Sequence, residues 1–416
     1  MSLAIAVIGS GIAGLAAAYG CQRNGHQVTV FEALDGHGMD AHALTVEGGL
    51  VDVPLRVMSR ESWPSVLALA GAVGVGTYEV STYSSCSWRD QSTWFRSGQL
   101  PGCDWPFVGS WRYLNGHALR IALGLRRLAK LTRTLDAQQS SQTLGEVLAE
   151  HPLDPVFWRG LVLPILTTVC TCDEEHLLAW PALQLLHQLH AIVHGSTLLR
   201  LQGGTSALAQ RLAQNLTFYS GSSVSQVLSE DQRFRVCNER GEGGLYDRVI
   251  VATQANQLDF LQDQTFAEER YILGDIRFAA GELWVHQDLR FLPARSADWT
   301  ALNFQMDRQM HKAMFSVLVN QVEPSLAGRA PVMQTWNPLF EPDPHKVLAR
   351  IPFERAVVHQ GTAKVHEHLR QWHASPGRKV FYCGSWAHEG VPLLESAVRS
   401  AESVVDAIGG VQSSAI

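Results

Sequence analysis

Residues 4–32 constrain this chain more than any other stretch. An apolar run from Ala4 to Ile8 leads into Gly9-Ser10-Gly11-Ile12-Ala13-Gly14. An Ala/Leu-rich stretch follows, stops at Gly25, and gives way to a second apolar run, Val28 to Phe31, which closes on Glu32. The spacing predicts strand, helix, strand. Gly9 permits the tight turn out of the first strand, Gly11 lets the backbone approach a pyrophosphate, and Gly14 lets the helix pack closely on the sheet. Ser10, Ile12 and Ala13 complete the turn, where free N–H groups and the positive end of the helix dipole would face phosphates. Glu32 would accept hydrogen bonds from a ribose, and its charge would repel a 2′-phosphate, which argues against NADP here. The stretch reads as a dinucleotide cradle.

With 416 residues, 46% of them hydrophobic and 17% charged, the chain can bury a large core and is expected to form two intimately connected domains. A net charge of -6 gives no general reason to expect a nucleic-acid partner. Its seven cysteines follow no disulfide framework, which suits a reducing, cytoplasmic setting. No basic segment precedes the apolar start, and no apolar run approaches the ~20 residues that span a bilayer.

Nucleotide-binding signals recur in three separated pieces, the pattern of one domain interrupted by another. In the second piece, Gln202-Gly203-Gly204-Thr205 precedes a helix from Ser206 to Gln214. Short strands follow over Leu216 to Tyr219, Ser223 to Leu228, Phe234 to Cys237 and Tyr246 to Thr253. The run Asp247 to Thr253 looks like a buried strand returning to a parallel sheet. The third piece is Lys379 to Ser385, a strand ending at Gly384, then Gly390-Val391-Pro392 and a helix from Leu393 to about Ile408, with Pro392 at its first turn.

This three-piece order resembles FAD-dependent oxidoreductases of the glutathione-reductase-like fold, in the branch that holds amine-oxidase-like proteins and phytoene desaturases. In that family a Gly-Gly pair near the flavin phosphates follows the second strand. Here the segment Ala33 to His42 offers Gly38, with Met39 in place of the second glycine. A Val-Asp-x-Gly turn usually comes next, where this chain has Val51-Asp52-Val53-Pro54-Leu55-Arg56. Val224 matches a valine whose backbone meets the adenine. Gly384-Ser385 corresponds to a Gly-Asp pair near the ribityl chain, and Leu393-Leu394 to a helix start that meets the flavin ring. The resemblance implies FAD as cofactor, with Gly9 to Gly14, Glu32, Ala33, Gly38, His42, Val224, Gly384, Ser385, Leu393 and Leu394 as its contacts. Only one full G-x-G-x-x-G is present, so no second pocket for NAD(P)H is marked, and electrons are expected to leave to oxygen or a quinone.

Catalytic side chains are harder to name, because such a cofactor is itself the electrophile and few are needed. Trp386 follows the Gly384 turn, near the place where amine oxidases put an aromatic cage residue. Arg56 could anchor a carboxylate or phosphate, lie near the flavin, or serve a buried ion pair. Lys312 and Lys346 are the candidates for a lysine that holds a water near the flavin, as in the relatives. Trp63, Trp88, Trp94, Trp105, Trp111, Trp158 and Trp180 could line an apolar tunnel or simply pack. His187, His190 and His194 align on one helix face, with Cys170 and Cys172 upstream, but neither spacing matches a zinc pattern, and no metal is expected. Residues 111–133 carry Arg112, Arg120, Arg126, Arg127, Lys130 and Arg133 among apolar residues, either resting on an anionic membrane or forming a solvated helix face.

The expected fold is therefore α/β. A Rossmann-like FAD-binding domain of the glutathione-reductase-like type (1–60, 200–260, 375–410) is interleaved with a mixed α/β substrate domain (61–199, 261–374). The expected reaction takes hydride from a hydrophobic, lipid-like or natural-product substrate and forms a C=C bond. Two alternatives stand beside it: oxidation of a free amine or amino acid, and a degenerate FAD-binding partner protein, since Met39 and Pro54 replace glycines.

Overall fold

The Ala4–Ile8 run is the middle strand of a five-stranded parallel sheet in the computed structural model, which describes residues 2–100, 107–194 and 198–413. The strand order is Val380–Tyr382, Arg248–Val251, Ala4–Ile8, Gln27–Phe31, Thr217–Tyr219, so one sheet gathers strands from three distant stretches of the chain. Alternate residues point to opposite faces, and both faces are buried. Ile5 and Val7 pack under the Ile12–Arg23 and Leu394–Ser413 helices, whereas Ala6, Ile8, Val249 and Val251 join a core with Leu369, Tyr382 and Trp386.

The expected single strand from Tyr246 to Thr253 is two strands in different sheets. Gly243–Tyr246 ends an antiparallel meander with Val224–Glu230 and Arg233–Asn238, while Arg248–Val251 enters the parallel sheet. Asp247 makes the corner, donating its N–H to the Ala4 carbonyl at 2.7 Å and accepting the Ala4 N–H on its carboxylate at 2.8 Å. A polar residue in an apolar run marks the break.

The remaining large element is a seven-stranded mixed sheet, ordered Val347–Val357, Arg277–His286, Met333–Trp336, Ala313–Leu318, Leu302–Met306, Ser84–Trp88, Thr93–Arg96. One face packs on a helical layer that includes Gly116–Ala137, Leu163–Cys170 and Ala182–His194, around a core with Phe304, Phe315, Leu166 and Trp180.

Two polar devices join the halves. Arg200 is fully buried; its Nη2 meets Asp52 at 3.3 Å and Glu323 at 2.9 Å, and its Nε donates to the Tyr78 hydroxyl at 2.9 Å. Gln334, on the seven-stranded sheet, donates to the Asp52 carbonyl at 2.6 Å and accepts the Leu55 N–H at 2.8 Å. Residues 52–55 are thereby clamped to that sheet at both ends.

The glycines of the first turn differ in their surroundings. Gly9 has φ +97°, and a Cβ on Gly14 would stand 2.0 Å from the Gly9 carbonyl oxygen, whereas a Cβ on Gly11 would meet nothing within 4 Å. Gly14→Ala is therefore expected to destabilise the cofactor-free protein by about 2 kcal/mol or more, because the clash is with backbone that cannot yield cheaply. Gly11→Ala should leave its denaturation midpoint unchanged. Equal midpoints for Gly14→Ala and the parent protein would refute the packing role.

Candidate active site

A cavity of about 560 Å³ opens where the parallel sheet meets the seven-stranded sheet. Its first wall is the nucleotide turn. Gly11, Ile12 and Ala13 line it, at the N-terminus of a helix that no side chain caps, so backbone N–H groups there are available to an anion. Pro392, Leu393 and Leu394 bring the start of the Leu394–Ser413 helix to the same space, beside Gly384 and Ser385. Two helix N-termini thus reach one cavity, and a phosphate-bearing ligand fits there electrostatically. The space that a Gly11 side chain would fill is the second sign of fit, since a ligand can approach the backbone at that point.

The other proposed cofactor contacts fall into two groups. His42, Gly384, Ser385, Leu393 and Leu394 line the cavity together with Gly11, Ile12 and Ala13. Gly9, Ser10, Gly14, Glu32, Ala33, Gly38 and Val224 do not. Most of these form the layer behind it. Glu32 accepts the Ser10 N–H at 2.8 Å, the Ser10 hydroxyl at 2.6 Å and the Leu34 N–H at 2.9 Å, while Gly38 donates its N–H to the Ser10 oxygen at 2.6 Å. Ser10 therefore ties Glu32 to the segment that carries Gly38. Room there is limited, because a Cβ on Gly38 would lie 2.7 Å from the Glu32 carboxylate. Val224 starts the meander next to Ser222, whose N–H donates to the Glu32 carbonyl at 3.3 Å. Met39, in place of the family's second glycine, is buried and lines the cavity, as does Pro54.

Beyond the turn the walls are mainly apolar, with Thr82, Thr168, Gln188 and Gln334 among them. Phe315 and Val317 come from the seven-stranded sheet, Ile165 and Val169 from the helical layer, and Trp63 from the start of the Pro64–Ala72 helix. Trp386 lines the cavity, but its indole N–H is committed to the Thr253 carbonyl at 3.0 Å, and no second ring stacks with it among the described residues. Of the tryptophans singled out in the substrate region, Trp63 alone lines the cavity among the described residues. Trp88 and Trp94 pack on each other, Trp158 and Trp180 are core, Trp111 is exposed, and Trp105 lies outside the described residues. Lys312 and Lys346 are exposed and line no part of the cavity.

Ionisable residues on the lining include Arg56, Arg355, His42 and Glu354. Arg56 is 8% exposed; its Nη1 donates to the Pro54 carbonyl and the Thr205 hydroxyl, each at 3.3 Å. Arg355 projects from the Val347–Val357 strand and donates through Nη1 to the Val169 carbonyl at 3.2 Å. His42 lies with its Nδ1 3.3 Å from the Val53 carbonyl, and its pKa is pulled down to about 4 by burial first and then by Arg56. The hydrogen bond to Val53 works in the opposite direction, and Arg355 adds to the depression. At neutral pH the ring is therefore uncharged.

Arg355 went unnoticed in the sequence although a signal was present. Positions 347, 349, 351, 353 and 355 share one face of their strand and read Val, Ala, Ile, Phe, Arg, a charge at the end of an apolar row. The histidine and cysteine constellation has a plainer outcome. His187 lies 3.4 Å from Asp136, the side chains of His190 and His194 lie outside the described residues, and burial pushes the Cys170 thiol up to about 12. Among the described residues no group of three or more His, Cys, Asp or Glu side chains could hold a metal ion.

Comparison with known proteins adds three findings. A family model described as flavin containing amine oxidoreductase matches residues 12–348. Comparison with curated protein sequences finds no match. Among solved structures, similar folds include a putrescine oxidase bound to putrescine (14% identity, 99% of each chain covered, TM-score 0.70). Others are the cyclohexylamine oxidase of Brevibacterium oxydans IH-35A (13% identity, 99% of this chain and 100% of that one, TM-score 0.70) and a CLA-producing fatty acid isomerase from P. acnes (14% identity, 97% and 98%, TM-score 0.64). At such identities the likeness is one of fold.

Proposed function

The chain belongs to the family of flavin-containing amine oxidoreductases, an FAD-dependent oxidoreductase family, and from that premise we propose that it dehydrogenates a hydrophobic substrate, forming a C=C bond. When bound, FAD would supply the acceptor for the hydride of one substrate C–H bond, while the proton of the neighbouring C–H bond would be released to water as the C=C bond forms. The proposed holding residues are Gly11, Ile12 and Ala13 for the diphosphate, with Glu32 and Val224 behind the turn for the adenosine end. His42, Gly384, Ser385, Leu393 and Leu394 are proposed for the remainder. Electrons would then leave to oxygen or a quinone.

One observation carries the reading. The cavity runs without interruption from the two helix N-termini to the apolar wall of Phe315, Val317 and Ile165. Such a wall excludes water and orients an apolar chain by shape, which is what hydride removal from an unactivated carbon asks of a protein. Amine oxidation by a putrescine-oxidase-like chemistry is the second reading, favoured by the family's name. The absence of a ring stacked with Trp386 among the described residues, and the two arginines in the chamber, weigh against a cationic substrate. A degenerate partner protein is disfavoured because Met39 and Pro54 leave the Gly11 approach open.

We also propose that the molecule rests on an anionic membrane through residues 111–133. The Gly116–Ala137 helix buries Ala118, Ile121, Gly124 and Leu128, while Leu119 and Leu123 are 60% and 55% exposed. Trp111 and Leu114, just before it, are also exposed. Leu119, Leu123, Arg126, Arg127 and Lys130 share one helix face, and Arg126, Arg127, Lys130 and Arg133 are all exposed. Arg120 is withdrawn from this set by its 2.8 Å pair with Asp154. No described helix is long and apolar enough to cross a membrane, so the contact would be peripheral.

Two experiments follow. Anaerobic mixing of the FAD-loaded protein with hydrophobic hydride donors and with putrescine and cyclohexylamine should bleach the flavin only with a non-amine donor, whose product is lighter by two hydrogens. Bleaching by the amines alone, with ammonia released, would overturn the desaturase reading. In sedimentation with vesicles, the protein should follow phosphatidylserine-containing vesicles and stay in solution with phosphatidylcholine alone, and the double change Leu119→Ser with Leu123→Ser should reduce capture several-fold. Equal behaviour toward both lipids would remove the membrane proposal.

A further inference from the structure

Two guanidinium groups share the chamber, and among the described residues neither has an acidic partner. Arg56 is more than nine-tenths buried, and of its three side-chain nitrogens only Nη1 finds an acceptor. The neighbouring carboxylate, Asp52, is already engaged by Arg200 at 3.3 Å and by the Thr205 N–H and hydroxyl, each at 3.0 Å. Arg355 likewise makes one bond, through Nη1 to Val169. Glu354, the acid next to it in sequence, points the other way along the strand and holds Asn256 at 2.8 Å. The Arg56 pKa is lowered to about 10, by burial first, with Asp52 opposing and Arg355 and Arg200 adding to the fall.

An unpaired buried cation is expensive, and a second, half-buried cation on the same chamber adds to the cost. Planar guanidinium groups with free N–H pairs are matched by one kind of ligand, a planar anion that accepts from both. We infer that Arg56 and Arg355 form a subsite for the carboxylate of the substrate, so that the molecule taken by this chamber is an amphipathic carboxylic acid with its apolar part against Phe315 and Ile165. Arg355 is tied to the Leu163–Cys170 helix through its bond to Val169. Arg56 stands on the segment that Gln334 clamps. The inference rests on reading the chamber as the substrate site and names the class of substrate.

Calorimetric titration of the full-length FAD-loaded protein with octanoate, 1-octanol and octylamine tests it without relying on turnover. Octanoate is expected to bind at least ten-fold more tightly than octanol or octylamine. Arg355→Met and Arg56→Met should each weaken octanoate by about 10- to 100-fold, the worth of a charge-assisted hydrogen-bonded pair, and leave octanol unchanged. Arg355→Lys and Arg56→Lys should recover part of the loss, and they keep the test decisive if a methionine variant does not fold. FAD content should stay at the parent level in every variant. Octanoate binding no tighter than octanol, or methionine variants that retain it, would overturn the subsite. Loss of FAD from Arg355→Met would overturn it too, by assigning the arginine to the cofactor's diphosphate. Arginine-dependent octanoate binding in a protein that no hydrophobic donor bleaches would instead leave the subsite standing and refute the dehydrogenation.

Discussion

The clamp on residues 52–55 decides where everything else in the chamber lies. Asp52 reaches back to Thr205 at the start of the Gly204–Ala213 helix and sideways to the fully buried Arg200, which in turn holds Glu323 and Tyr78. Gln334 pins the backbone of the same segment from the seven-stranded sheet. A buried ion network of this kind contributes little net stability compared with well-packed apolar residues, but removing one member leaves a charge without a partner in a dry place. Its value is geometric. It sets one register between the two sheets, and Pro54, Leu55 and Arg56 become a wall whose position is given by both.

Around that wall the chamber divides by polarity. Backbone N–H groups at two helix ends face one part, and apolar side chains from the seven-stranded sheet and the helical layer face the other. Arg56 and Arg355 stand in the second part, and His42, held neutral by burial and by both arginines, adds no further charge. A cofactor with a diphosphate and a flat ring matches the first part, and an apolar substrate with an anionic end matches the second. Each of these proposed ligands would be met by the kind of surface that compensates its desolvation, which is the condition for binding both tightly in one water-poor space.

Much of the nucleotide half was legible in the chain because its signals are local. Gly9 and Gly14 answer separate steric demands of the chain and Gly11 keeps open a space for a ligand, all within six residues, so the motif can be read without knowing what surrounds it. The apolar run that made Arg248–Val251 a buried strand was equally local, and only the corner at Asp247 escaped, because the bonds that make it go to Ala4. The substrate half is different. Its walls come from Trp63, Ile165, Phe315 and Arg355, residues that nothing but tertiary folding brings together. Tryptophan abundance was a poor guide there, since most of those rings fill the core, and Lys312 and Lys346 were proposed by residue type yet sit on exposed turns.

The account stands on cofactor and substrate sharing one continuous chamber, and a crystal structure of the FAD-loaded protein tests that most directly. It should place the diphosphate on the N–H groups of Gly11 to Ala13 and the flavin ring between Leu55 and Leu393–Leu394, with open space left before Phe315. A ring bound elsewhere, or one that fills the space to the Phe315 wall and leaves no room for a second molecule, would contradict it.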